Sequence, residues 1–293
     1  MTPAQGAAGR LLVCPTPIGN LQDVTLRVLD ALRDADAIAC EDTRHTAVLL
    51  ERHEISAQLL SLHEHNERAR AGELVAKMRD GAVVALVSDA GTPLVSDPGF
   101  ALVRECIAAG IAVEVLPGPS AVTSALVASG LPAERWLFAG FLPRKRAELV
   151  RLLREVPETL VVFESPRRLV ASLAVLAELD AERPVAVCRE LTKLHEDVRR
   201  GSAAELAAHY AQGTVRGEIV LVIGAAAPGA ASREDALAAV RELVDAGARP
   251  RPAASVVAGL TGIAANELYR ELTSGGEGVR ESAGEDSTED GGQ

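Results

Sequence analysis

From Arg10 to Ile223 the chain repeats one pattern: a short apolar run, then a longer stretch of helical periodicity. Residues 10–14, 37–40, 58–62, 82–87 and 112–116 read as strands. Residues 23–33, 43–52, 66–80 and 98–109 read as the helices between them. The runs lack the polar alternation of a sheet with one wet face. Their strands are therefore expected to be buried on both sides, as in parallel sheets. Strands alternating with helices in this way fold as α/β.

Pro117-Gly118-Pro119-Ser120 punctuates the pattern and starts a helix, so a domain boundary is expected near Pro117. The first α/β domain then spans residues 10–117 and a second spans 118–226. The second has strands at 135–139, 159–163, 184–189 and 218–223, and helices at 145–154, 166–179 and 202–211. Beyond the Ala/Gly/Pro stretch 225–231, residues 232–273 read as a small helical unit of one longer and two short helices. Its rhythm fits a helix-turn-helix or a plain packing module. The tail, 275–293, carries six acidic residues against Arg280 alone and is expected to be disordered.

Composition narrows the function. No apolar run approaches the roughly 18 residues that span a bilayer, and residues 1–10 hold no apolar h-region. Cys14, Cys40, Cys106 and Cys188 are scattered, without a Cys-x-x-Cys pair, and read as free buried thiols of a reducing, cytoplasmic compartment. The net charge of −11 argues against a general nucleic-acid binder, but nearly half of it lies in the tail. Elsewhere basic residues bunch at Arg144-Lys145-Arg146, Arg151, Arg154, Arg167-Arg168, Arg189, Lys193 and Arg199-Arg200. Each cluster is either a phosphate contact or a solvated helix face. Aromatic residues are 2% of the chain, which leaves little for a base-stacking platform.

Ligands of α/β sheets bind beyond the carboxyl ends of strands. Three such ends are rich in Gly, Pro and small polar residues: Cys14–Asn20, Ser88–Gly99 and Pro117–Ala121. Three in one half suggest a shared cleft. No Gly-x-Gly-x-x-Gly and no P-loop occurs, which disfavours dinucleotides and nucleoside triphosphates. Asp89 and Asp97 suit a ligand offering hydroxyl or amino donors, and Pro15 and Gly19 permit close approach by a flat base. That profile fits a nucleoside such as S-adenosylmethionine.

Seven blocks occur in order: Pro15-Thr16-Pro17-Ile18-Gly19-Asn20-Leu21, Glu41-Asp42-Thr43-Arg44, His63-Glu64-His65-Asn66-Glu67, Ser88-Asp89-Ala90-Gly91-Thr92-Pro93, Pro117-Gly118-Pro119-Ser120-Ala121, Phe163-Glu164-Ser165-Pro166-Arg167-Arg168 and Arg189-Glu190-Leu191-Thr192-Lys193. Together they closely resemble the ribosomal RNA small subunit methyltransferase I family of the tetrapyrrole methylase superfamily. The resemblance covers residues 11–224, more weakly 253–272. It implies two α/β domains with S-adenosylmethionine in the cleft between them, usually in a homodimer. It implies methyl transfer to the ribose 2′-oxygen of a cytidine near the decoding centre of 16S ribosomal RNA. It also implies cofactor contacts at Pro15, Gly19, Ser88, Asp89, Ala90, Gly91, Thr92, Ser120, Ala121, Phe163 and Glu164, and no metal. The family's C-terminal unit usually carries lysines; here residues 250–272 contain none.

A ribose hydroxyl attacks a sulfonium methyl only as it loses its proton, so a base or a cation should lie within hydrogen-bond reach. Glu190 and Lys193 are the expected pair. Glu190 accepts the proton or pairs with an arginine; Lys193 stabilises the alkoxide, serves as base if desolvation lowers its pKa, or touches phosphate. Arg144, Lys145, Arg167, Arg168 and Arg189 are the expected RNA contacts, with intramolecular pairing as the plainer reading. His63 and His65 lie two apart and suggest a metal less than hydrogen bonding in the cleft. The competing readings are a tetrapyrrole C-methyltransferase and a non-catalytic RNA-binding assembly factor.

Overall fold

The computed structural model describes residues 9–226 and 233–274. Among them, the chain up to Ala225 makes one compact unit and the helices beyond it another. The first sheet holds β1 (Arg10–Val13), β2 (Ala37–Cys40), β3 (Leu59–Ser61), β4 (Val83–Leu86) and β5 (Ala112–Val115) in the order β3-β2-β4-β1-β5. Every pairing is parallel, as the two-sided apolar runs predict. Leu12, Ile38 and Ala85 pack on the side of α1 (Leu26–Asp34) and α2 (Thr43–Arg52). Leu11, Val13, Ala39, Val84 and Leu86 pack on the side of α3 (Glu67–Arg79) and α4 (Phe100–Ala108). Helix α1 begins later than residue 23 because a 3₁₀ turn, Leu21–Asp23, comes first and Thr25 Oγ1 accepts the Val28 N–H at 3.2 Å. That start aligns Val28, Leu29 and Leu32 with the core.

The second sheet, all after Pro117, runs β6-β7-β10-β8-β9 from β6 (Trp136–Phe141), β7 (Thr159–Glu164), β8 (Pro184–Arg189), β9 (Asp197–Ser202) and β10 (Ile219–Ile223). Here the expectation of parallel strands needs correcting. Only β6 and β7 are parallel; β10 runs antiparallel to both β7 and β8, and β9 antiparallel to β8. Burial on both faces reflects helix cover, not strand direction. Helix α5 (Ala121–Ser129) lays Val122, Ala125 and Leu126 on Val161, Ala186, Cys188, Val220 and Val222. Helices α6 (Arg146–Glu155), α7 (Leu169–Leu179) and α8 (Ala203–Tyr210) cover Leu160, Val162, Val185, Val187, Leu221 and Ile223. Strand β9 is unanticipated, because Asp197–Ser202 is polar and pairs only along one edge.

Arg183 ties this half together. It is 4% exposed, and its guanidinium donates to Gly224 O at 2.8 Å, Leu153 O at 2.9 Å and Val156 O at 3.3 Å. Burial lowers its pKa. The second unit comprises α9 (Arg233–Asp245), α10 (Pro250–Thr261) and α11 (Ala265–Ser274). They enclose their own core of Ala236, Leu237, Val240, Ala253, Ala254, Val257 and Leu268. The acidic tail lies outside the described residues.

Candidate active site

In the first sheet the carboxyl ends of β1 and β4 and the turn after β5 come together. Thr16 and Gly91 exchange backbone hydrogen bonds, each N–H donating to the other's carbonyl at 2.9 Å. Ser88 Oγ donates to Gly91 O at 3.1 Å, Thr16 Oγ1 to Ser88 O at 2.9 Å, and Thr92 Oγ1 to Pro119 O at 3.2 Å. A Cβ at Gly118 would lie 2.7 Å from Pro15 Cβ, so the third loop can settle on the first only because position 118 lacks a side chain. Among the described residues, four of the five non-glycine residues with positive φ lie at this site or beside it: Leu94 and Ser96 in the second loop, Glu190 and Thr192 after β8. Such strain persists only where surrounding structure holds it.

The loops wall a cavity of about 380 Å³, within the range of small-ligand pockets. Ile18, Gly91, Thr92, Val95, Ser96 and Asp97 line it from the first half, and Ser120, Ala121 and Val122 from the head of α5. Phe141, the stretch from Phe163 to Pro166, and the stretch from Gly217 to Val220 close the other side. No side chain caps α5, so its amino end meets the cavity with a helix dipole available to an anion. Asp97 is the strongly perturbed acid in the wall. Burial, and then Glu41 and Asp89, push its pKa up to about 6 against a counter-effect from Ser88. A carboxyl poised so near neutrality can hold or release a proton as chemistry demands.

The sequence profile of the family described as Tetrapyrrole (Corrin/Porphyrin) Methylases matches residues 10–207. The chain belongs to the tetrapyrrole methylase family. A relative named Ribosomal RNA small subunit methyltransferase I, from Mesorhizobium japonicum, is 48% identical over 278 residues, covering 92% of this chain and 93% of its own. One of the same name from Escherichia coli O157:H7 is 43% identical over 91% of this chain and 96% of its own. Another, from Thermotoga maritima, is 45% identical over 217 residues, 73% of this chain but 98% of its own. Among solved structures, uroporphyrin-III C-methyl transferase from Thermus thermophilus, complexed with S-adenyl homocysteine, shares the fold at a TM-score of 0.52 and 23% identity. That match covers 74% of this chain and 97% of that one. Diphthine synthase shares it at 0.58 and 17%, over 74% and 90%.

Within this tetrapyrrole methylase cavity stand Ala90, Gly91, Thr92, Ser120, Ala121, Phe163 and Glu164, seven of the expected cofactor residues. Glu164 is fixed by the Ser165 N–H at 2.7 Å and by the Ser172 hydroxyl. Pro15 and Ser88 lie behind the wall as scaffold. Asp89 turns away: it accepts the Asp42 N–H at 3.0 Å and meets His45 Nδ1 at 3.0 Å, raising the His45 pKa. Gly19 backs onto the second half, where a Cβ would lie 2.4 Å from Lys193 Cγ.

Glu190 and Lys193 do not line the cavity. Lys193 Nζ donates to Glu190 at 2.9 Å and to Glu218, which does line it, at 3.0 Å. Desolvation opposes the ammonium, but the two carboxylates outweigh it and raise the Lys193 pKa. Of the roles expected for Lys193, the desolvated base is therefore corrected to a paired cation. The Glu218 N–H, and then Lys193, lower the Glu190 pKa, so its carboxylate is a poor proton acceptor. Among the RNA candidates, Arg144 and Arg167 are exposed, with no partner among the described residues, and Lys145 pairs with Glu148 at 3.1 Å. Arg168 instead turns inward, donating to Leu142 O at 3.1 Å and Pro143 O at 2.6 Å, 3.5 Å from Glu164. Arg189 lines a separate surface pocket with Asp197 and Tyr210. The rings of His63 and His65 touch edgewise, and neither lines the cavity. No group of three or more His, Cys, Asp or Glu among the described residues is arranged to hold a metal.

The residues not anticipated at the site are Phe141 and Gly217–Val220. The scarcity of aromatics argued against such a residue, and the β6 bulge that places Phe141 there leaves no sequence period; the position of Glu218 follows from the insertion of β10 beside β8, which periodicity does not reveal.

Proposed function

We propose that this protein transfers a methyl group from S-adenosylmethionine to the ribose 2′-hydroxyl of a cytidine in small-subunit ribosomal RNA. The observation that carries the reading is the convergence of three loops on one cavity that joins an apolar slot, an open helix amino end and the Asp97 carboxyl, whose pKa burial raises. The names of relatives up to 48% identical over nearly the whole chain support the RNA substrate.

The residues fit the cofactor. Ile18, Val95, Val122 and Val220 offer apolar walls for a base, Thr92 and Ser120 offer hydroxyls, and the head of α5 suits a carboxylate. When bound, the cofactor supplies an electrophilic methyl group. The chain's own task is to align the acceptor oxygen, exclude water and take up the proton. Asp97 is assigned that proton: it lines the cavity, and its carboxyl, pushed up to about 6, is ionised at neutral pH. Glu190 and Lys193 act through Glu218, anchoring the chain at Gly217–Glu218 against the wall.

Arg144, Lys145 and Arg167 contact RNA phosphates, while Arg168 positions the loop that carries Arg144. The protein works in the cytoplasm on the small ribosomal subunit, as a homodimer. To test the reading, labelled S-adenosylmethionine is incubated with small subunits from a strain lacking the modification. Label in a cytidine ribose is expected; label confined to a corrin precursor overturns it.

A further inference from the structure

The chain contains four phenylalanines; Phe141 and Phe163 line the cavity, and Phe138 packs on Phe163 behind them. Phe138 and Phe141 each touch Phe163 edge to face, with ring centroids 5.1 Å and 5.4 Å away. Phe163 is half-buried, whereas Phe141 is 61% exposed although it lines the cavity. An edgewise contact on one side leaves a face of the Phe141 ring uncovered.

Its mounting is rigid. Strand β6 keeps register with β7 as far as Phe138 and resumes at Phe141, so Ala139 and Gly140 form a bulge, with Gly140 at φ +66. Bulges re-aim side chains beside functional sites. Here the bulge turns Phe141 into the cavity instead of along the sheet. The next residue, Leu142, is 3% exposed and donates its N–H to Phe163 O at 3.0 Å. Arg168 clamps the carbonyls of Leu142 and Pro143. Arg144 and Arg167, both exposed, stand just beyond. A bare aromatic face on a fixed backbone, bordered by free guanidinium groups, has the makings of a base-stacking platform for single-stranded RNA.

We propose that the base of the acceptor nucleotide stacks on Phe141, which holds the attached ribose at the cavity mouth. The inference rests on the RNA methyl-transfer reading. Phe141 is assigned to the acceptor, because none of the groups fitted to the cofactor, Ile18, Thr92, Val95, Ser120, Val122 and Val220, requires it.

The test compares Phe141→Leu with Phe141→Tyr. Stacking one base typically contributes enough that its loss lowers kcat/KM on small ribosomal subunits about 10-fold or more. Phe141→Leu shows that loss, Phe141→Tyr recovers to within about threefold, and both bind S-adenosylhomocysteine by calorimetry within about twofold of wild type. A second arm places Phe141→Trp in a Trp136→Phe background and follows fluorescence. Oligocytidylate RNA quenches it and S-adenosylhomocysteine alone does not. Unchanged kcat/KM in Phe141→Leu, or a parallel loss of S-adenosylhomocysteine affinity, overturns the proposal. Should the wild-type protein methylate no RNA, the parent reading falls. Quenching by RNA then still upholds the stacking, and its absence overturns it.

Discussion

Replacing Asp97 with Asn should make the protein more stable and far less active. The folded environment lifts this carboxyl from its ordinary 3.8 to about 6, first through burial and then through Glu41 and Asp89. Each unit is about 1.4 kcal/mol between protonation states, so holding the anion at pH 8 costs about 3 kcal/mol at face value. The carboxyl is only partly buried, and solvent screening halves that figure to about 1.5 kcal/mol. A raised acid pKa means that the folded chain binds the extra proton, so this penalty is absent below pH 3.8, grows between 3.8 and 6, and is complete above 6. Asp97→Asn removes the charge and should raise Tm at pH 8 by about 3–6 °C, with no gain at pH 4. Turnover on small subunits should fall about 100-fold or more, the usual worth of a general base, while S-adenosylhomocysteine affinity stays within about threefold. In the wild type, kcat/KM should fall as pH drops through 6. A Tm gain that persists at pH 4 refutes the electrostatic account. Activity within a few-fold of wild type removes Asp97 as proton acceptor.

Arg183→Met strips three buried carbonyls of their donor and should cost about 3 kcal/mol, read as a lower midpoint in urea denaturation. Gly217→Ala meets both a φ of +86 and Glu190 side-chain atoms 2.5 Å from the new Cβ. It should destabilise by about 1–3 kcal/mol and loosen the Lys193 pairing, visible as a shifted Lys193 resonance by NMR. A chain ended after Ala225 should fold and bind S-adenosylhomocysteine within about threefold of full length, by calorimetry. The α/β body is a compact unit of its own, and 98% of the Thermotoga maritima relative matches over 217 residues.

The parallel first half was readable because β1, β2 and β4 carry apolar runs, although the edge strand β5 is broken by Glu114 and largely exposed, and the Gly- and Pro-rich ends of β1, β4 and β5 do converge. Direction in the second half was not readable, since Val161, Ala186 and Val222 are buried whichever way their strands run. Asp89 and Asp97 look alike in sequence. Only the placement of α2, whose Asp42 N–H and His45 claim Asp89, leaves Asp97 to the cavity. The roles left open for Lys193, alkoxide stabiliser, base or phosphate contact, could not be narrowed in sequence because periodicity does not show Glu218 beside it.

The last strand of the α/β body is also the middle of its sheet: β10 inserts between β7 and β8. Until it arrives, two separate ribbons each present an open apolar edge, and the cavity lacks the wall from Gly217 to Val220. A chain lacking β10 would therefore expose two apolar edges and lack one wall of the cavity, so the integrity of the site is tied to the docking of the strand that comes last in the sequence.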